Sequence, residues 1–216
     1  MQTIYNYARN IVATNADKKK RDRTKAAIQF AMCQLLEKKP LSTITIADVC
    51  ITAKIAHGTF YIYFTDREML VDELLTGFVD FIQSTMLLES SDVPTDPVKK
   101  TTAAYIELFE KNTGLMKCLL NHHEDFTVPS EQFHKLNVTW ARIVVSAAIK
   151  KISEKPSDSD SLEEELLRRA FALGGMVDQY LATVYIHKDS VLKNISQDKQ
   201  KVIETLSFIW KQGMGL

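Results

Sequence analysis

No stretch of the 216-residue chain approaches the roughly 20 consecutive apolar residues of a membrane span, so no transmembrane helix and no membrane partner are expected. A secretory leader is not expected either, because in MQTIYNYARNIVATNADKKK the basic cluster follows a mildly apolar stretch, the reverse of a signal sequence. Cysteine is scarce. Cys33, Cys50 and Cys118 are odd in number, far apart and set among apolar neighbours, which argues against disulfides and a zinc site and for buried thiols in a reducing cytoplasm. Net charge is absent, since 27 Lys/Arg balance 27 Asp/Glu. That balance hides an asymmetry: residues 1–70 hold 11 Lys/Arg against 6 Asp/Glu, leaving 16 against 21 for the remainder. A basic head on an acidic body directs the head toward a polyanion. Missing too are a Ser-His-Asp or Cys-His set, a phosphate loop and a dinucleotide fingerprint, so neither an enzyme nor a cofactor is expected.

The 45% hydrophobic content is ample for a packed core, and its pattern is helical. Ile28, Met32 and Leu35 form a stripe between Asp22 and Lys38, which Pro40 stops. Thr45 with Asp48, Thr65 with Glu68, and Ser161 with Glu164 are capping-box patterns, and Asp96 before Pro97 is an N-cap with proline at the first helical position. A short helix is expected over about 45–52, a long one from near Asp66 to the loop SSDVPTD, others from Thr113, from near Pro129 to Ile152 and after Ser161, and a last one over about 196–212. With no convincing strand, the fold class is all-α: a three-helix helix-turn-helix head followed by a helical bundle.

The stretch IAHGTFYIYF, residues 55–64, suggests a buried strand at first sight, but the flanking caps place it on a helix. Phe60 and Phe64 then share one face and can pack inward, while Tyr61, Ile62 and Tyr63 point outward. Outward aromatics suit DNA, with hydroxyls for phosphate and apolar atoms for thymine methyl groups.

Over residues 24–75 the sequence resembles the DNA-binding head of the tetracycline-repressor (TetR) family of bacterial transcription regulators. The resemblance is carried by Thr45-Ile46-Ala47-Asp48-Val49, by Gly58-Thr59-Phe60-Tyr61 with Tyr63-Phe64, and by Arg67-Glu68-Met69-Leu70. It implies base contacts near His57, Gly58 and Tyr61, phosphate contacts from Thr45, Thr59, Tyr63 and Arg67, and a basic arm, KKKRDR, near the DNA backbone. Two positions depart from the family pattern: Lys54 stands at the turn usually held by glycine, and Ala56 replaces a small hydroxyl cap. Lys54 can offset this with a phosphate contact. The expected organisation is a flexible basic arm over 1–21, the helix-turn-helix domain over 22–68 and a ligand-binding and dimerisation domain over 69–216.

In the body, Phe78, Phe81, Met86, Tyr105, Phe109, Met116, Phe126, Phe133, Trp140, Phe171, Met176 and Tyr180 are large, adaptable side chains that suit either a core or a pocket for a small apolar or aromatic effector. Arg142, Asp178 and Glu107 are the charged residues set amid apolar neighbours. Leu166, Ala170, Leu173, Val177, Leu181 and Val184 form one stripe and Val202, Leu206, Ile209 and Trp210 another, fit for a homodimer interface or for intramolecular packing; Gly174-Gly175 would permit close backbone approach. A dimer suits a palindromic double-stranded operator. The expected function is a cytoplasmic, ligand-responsive regulator, a repressor released by its effector. Two alternatives stay open: a metal-dependent binding protein or enzyme built around His122 and His123, whose NHHED context lacks the i, i+4 pairing of a metal-binding helix, and a DNA-binding regulator without an effector.

Overall fold

The computed structural model describes residues 3–91, 96–120, 127–151 and 159–216, and among these every regular element is helical. In chain order they are α1 (Tyr7–Asn15), α2 (Lys20–Leu36), α3 (Ile46–Ala53), α4 (His57–Phe60), α5 (Arg67–Ser91), α6 (Pro97–Lys111), α7 (Thr113–Leu120), α8 (Thr127–Lys151), α9 (Ser159–Leu181), α10 (Ser190–Ile195) and α11 (Lys199–Met214). A 3₁₀ turn, Leu41–Thr43, precedes α3, and a π-helical turn, Ala182–Ile186, follows α9. The chain forms two compact units, Met1–Thr85 with Glu107–Phe133, and Met86–Ile106 with His134–Leu216.

In the first unit, residues 7–15, expected within a flexible arm, form a docked helix instead. Asn6 Oδ1 caps α1 by accepting the Arg9 N–H at 2.9 Å, and Tyr7 and Ile11 are buried. Tyr7 packs its ring 5.4 Å from Phe78 and 5.3 Å from Phe81. Asn112 fastens the helix entry, accepting the Tyr7 N–H at 2.7 Å and donating to the carbonyl oxygens of Tyr5 and Leu108 at 2.7 Å each. Gly77 makes the notch: a Cβ there would stand 2.2 Å from the Tyr7 hydroxyl.

The end of α2 holds α7 in the same unit. Glu37 accepts the Gly114 N–H and the Thr113 hydroxyl at 2.9 Å each, capping α7. The backbones meet so closely that a Cβ on Gly114 would lie 2.6 Å from main-chain atoms of Leu36 and Glu37. The cap of α5 is Asp66 rather than Thr65: Asp66 Oδ1 accepts the Met69 N–H at 2.7 Å, and the Thr65 hydroxyl donates to Asp66 Oδ2. Cys33, Cys50 and Cys118 are buried free thiols, and burial pushes Cys33 and Cys118 up to about 12.

In the second unit, Asp96 caps α6 through the Lys99 N–H at 3.0 Å, as its place before Pro97 predicts, and also pairs with Lys211 of α11 at 2.6 Å. Helix α9 starts at Ser159, two residues before the expected cap at Ser161. Asp198 caps α11, and Gly215, at φ +70°, ends it. A core of Ala141, Val145 and Ala148 from α8, Leu166 and Ala170 from α9, and Met214 from α11 is flanked by Leu173 and Trp210.

The residues expected at a dimer interface or in intramolecular packing are largely covered by the chain's own helices. Leu166, Ala170, Val177, Leu181, Val184, Val202 and Leu206 are buried inside the chain, and Leu173, Ile209 and Trp210 partly so. The apolar stripes of α9 and α11 thus pack mainly within one chain. A Cβ at Gly174 or Gly175 would meet no atom of the same chain within 4 Å.

Candidate functional site

The helix-turn-helix is held by short-range bonds. Thr45 accepts the Asp48 N–H at 3.1 Å on its hydroxyl, while Asp48 Oδ2 accepts the Thr45 N–H at 2.8 Å and the Thr45 hydroxyl at 2.7 Å, a reciprocal capping box. Lys39 donates to the same oxygen at 2.8 Å, and with the Thr45 bonds it holds the Asp48 carboxyl far below the usual carboxylate range. Lys54 ends α3 with φ 56° and ψ 46°, the left-handed conformation that its alignment with a glycine position implies. Replacing Lys54 by glycine should therefore stabilise the chain by about 1 kcal/mol in urea denaturation, the cost of a left-handed residue bearing a Cβ less the extra chain entropy glycine loses.

Ala56 begins α4 without a side-chain cap. Phe60 and Phe64 are fully buried with ring centroids 5.8 Å apart, and the Lys25 ammonium lies 5.5 Å from the Phe64 ring centre. Lys54, Ala56, His57, Gly58, Tyr61 and Ile62 are exposed; Thr59 and Tyr63 are half-buried. His57 stands edge-on to Tyr61 at 5.3 Å. The backbone at Gly58 is bare, for a Cβ there would meet no atom within 4 Å. Ile51 of α3 is also an exposed apolar side chain, at 77%, as is Ile62 at 66%. Sequence reading passed over Ile51, although Ala47, four residues before it on the same exposed face of α3, carried the signal.

Two expected phosphate contacts are engaged inside the protein. The Thr45 hydroxyl belongs to the cap, and the Arg67 guanidinium donates to the carbonyl oxygens of Ile44 at 2.5 Å and Leu41 at 3.4 Å. Arg67 thus clamps the entry to α3 onto the first turn of α5.

The second unit holds a partly open cavity of about 90 Å³, several times the roughly 10–15 Å³ that admits a water molecule. Met86, Tyr105 and Trp140, three of the expected ligand residues, line it. So do Val177 and Trp210, read from the sequence as interface residues, together with Val98, Leu136, Val144 and Leu216. Thr101, Thr102, Asn137 and Gly174 complete the wall with Asp178. The other expected ligand residues do not converge on it. Phe78, Phe109 and Met116 are fully buried in the first unit, where Phe81 also lies against Tyr7; Phe171 is 44% exposed; Met176 and Tyr180 are partly buried, the Tyr180 hydroxyl 2.6 Å from that of Ser196. Phe126 lies outside the described residues. Long-range packing separates these side chains, and helical periodicity carries no information about it.

Chemistry in the cavity centres on Asp178, 6% exposed, which accepts the Tyr105 hydroxyl on Oδ1 at 2.5 Å. Burial pushes the Asp178 carboxyl up to about 6, against the lowering effect of the Tyr105 bond. Tyr105 is raised well above its ordinary value by burial and by the Asp178 charge. Arg142 is exposed, and neither it nor Glu107 lines the wall.

The alternative centre, His122 and His123 with Glu124 and Asp125, lies outside the described residues. Among the described residues, no group of three or more His, Cys, Asp or Glu is placed to hold a metal, and no helix is long and apolar enough to cross a membrane.

No family model and no curated protein matches the sequence. Solved structures do match the fold. A protein from Pseudomonas aeruginosa PAO1 described as a transcriptional regulator superposes with a TM-score of 0.72 at 11% identity, over 92% of this chain and 93% of its own. A protein from Syntrophomonas wolfei str. Goettingen described as a TetR-family transcriptional regulator gives 0.69 at 19% identity, over 91% and 98%. The transcriptional regulator FadR from Bacillus subtilis, solved in complex with stearoyl-CoA, gives 0.63 at 14% identity, over 87% and 97%. The chain has the all-α fold of TetR-type transcriptional regulators.

Proposed function

We propose that the chain is a ligand-responsive transcription regulator, a repressor that binds a palindromic double-stranded operator as a homodimer and releases it when a small apolar or aromatic effector fills the cavity of the second unit. The observation that carries this reading is the exposure of His57, Tyr61 and Ile62 beside the open backbone position of Gly58 in α4 and the turn after it, with Ile51 of α3 exposed as well. Apolar side chains held in water by a capped, rigid helix-turn-helix suit base edges and thymine methyl groups in the major groove. The basic excess of residues 1–70 supplies the phosphate attraction.

The cavity supports the effector part of the reading, and FadR from Bacillus subtilis offers a structural parallel in holding stearoyl-CoA. Helix α5 offers the route: Arg67, in its first turn, clamps the entry to α3, and Met86, further along the same helix, lines the cavity. An effector that favours one tilt of α5 would shift the population of DNA-competent states. For the homodimer, with the apolar stripes buried, the surface falls to the exposed side chains of α9 and α11, Phe171 and Phe208, the latter 63% exposed. A palindrome read on one side of DNA needs two recognition helices about 34 Å apart, which one chain cannot supply.

Selection from a pool of random duplexes with the full-length protein should enrich one palindromic sequence. Phe208→Glu should run as a monomer in light scattering and lose the palindrome while keeping its melting temperature. Failure of the native protein to enrich any sequence would overturn the assignment.

A further inference from the structure

We propose that the cavity of the second unit takes an organic cation, an amine or quaternary ammonium carried on an apolar or aromatic body, with Asp178 as its counter-charge and Trp140 and Trp210 as its walls. This deepens the ligand-responsive reading above and rests on it.

Among the described residues lining the cavity, Asp178 and Tyr105 carry the ionisable side chains; no lysine, arginine or histidine is there. Four lysines neighbour lining residues in sequence; Lys100, beside Thr101, and Lys135, beside Leu136, are exposed and do not line the cavity, and the other two are ion-paired. Lys211, next to Trp210, is held by Asp96 at 2.6 Å, and Lys99, next to Val98, by Glu204 at 3.3 Å. An anionic ligand would therefore meet a carboxylate with no positive side chain on the wall to receive it. A neutral hydrocarbon would fill the apolar part and leave the ionised Asp178 facing it, with the Tyr105 hydroxyl as its hydrogen-bond donor. A cation satisfies both halves of the site. It neutralises Asp178, and its polarised C–H or N–H groups lie against indole faces, the aromatic surfaces that attract cations most strongly. Gly174 adds room on the same wall, since its Cβ position is open.

The two tryptophans of the sequence are Trp140 and Trp210, both lining the cavity, so intrinsic fluorescence reports its occupancy. Three probes with the same ten-carbon chain separate the possibilities at pH 8: decyltrimethylammonium and decanoate, each below its micelle-forming concentration, and decanol below its solubility limit. The cation should bind at least about tenfold more tightly than either of the others. Asp178→Asn should bring the cation to within about twofold of decanol while leaving decanol binding in place, and Tyr105→Phe, which keeps the charge, should retain the preference. Equal or tighter binding of decanol or decanoate to the native protein, or a preference that survives Asp178→Asn, would overturn the cation assignment and leave the ligand-responsive reading standing. Silence of the fluorescence toward all three probes would overturn both.

Discussion

Asp178→Asn should raise the melting temperature at pH 8 by roughly 6–12 °C, because each kcal/mol is worth about 2–4 °C in a chain of this size and the native carboxylate costs about 3 kcal/mol. That cost follows from the rise of its pKa from 3.8 to about 6 on burial. A raised acid binds its proton more tightly in the folded chain than in the unfolded one. Below pH 3.8 both states are protonated and the group contributes nothing; above about pH 6 the folded chain bears the full cost of a buried charge. The native protein should thus recover stability as pH falls from 8 toward 5, and the asparagine variant should lack that component. Asparagine preserves the shape, and its amide oxygen can accept the Tyr105 hydroxyl as Oδ1 does. An unchanged or lowered melting temperature at pH 8 would contradict this account. A carboxylate kept at such a cost inside a cavity is the pattern expected when function, rather than folding, selects the residue.

Features fixed by neighbours in sequence were legible before the fold was known. Thr45 finds Asp48 three residues away, Asp96 precedes Pro97, and Phe60 and Phe64 sit one turn apart, so the head could be read nearly residue by residue. Asp178 stood out as a charge amid apolar residues. What escaped depends on partners far along the chain. Helix α1 docks because Asn112 receives Tyr7 across 105 residues, and Gly77 yields the space; no periodicity within residues 1–21 announces either. The stripes of α9 and α11 were read correctly as apolar, but spacing identifies a face without saying whether the same chain or a second one covers it. Val177 and Trp210 show the same ambiguity, as their stripe meets a cavity. Arg67 could not be placed from sequence, because a guanidinium suits a phosphate and a pair of carbonyl oxygens equally well, and its bonds to Leu41 and Ile44 depend on where the chain before α3 lies.

Tyr61→Ala should weaken binding to the selected operator by about 10- to 100-fold while changing affinity for random duplex by less than about twofold, with the salt dependence of both preserved. Tyr61 is half exposed beside His57, so its truncation opens no core cavity, and it is uncharged, so it releases no counterion. Phe60 and Phe64 would still anchor the helix. Equal losses on both DNAs would sink its role in specificity. Gly58→Ala separates recognition from folding more sharply. A methyl group there meets no protein atom within 4 Å, and alanine is favoured over glycine in a helix by up to about 1 kcal/mol, so the melting temperature should hold or rise. Bound DNA would have to occupy the space that the methyl group takes, so operator affinity should fall by about tenfold or more. A stabilised variant that binds poorly is the result that a bare backbone reserved for DNA requires; a stabilised variant that binds normally would mean that the recognition helix approaches the groove along another edge.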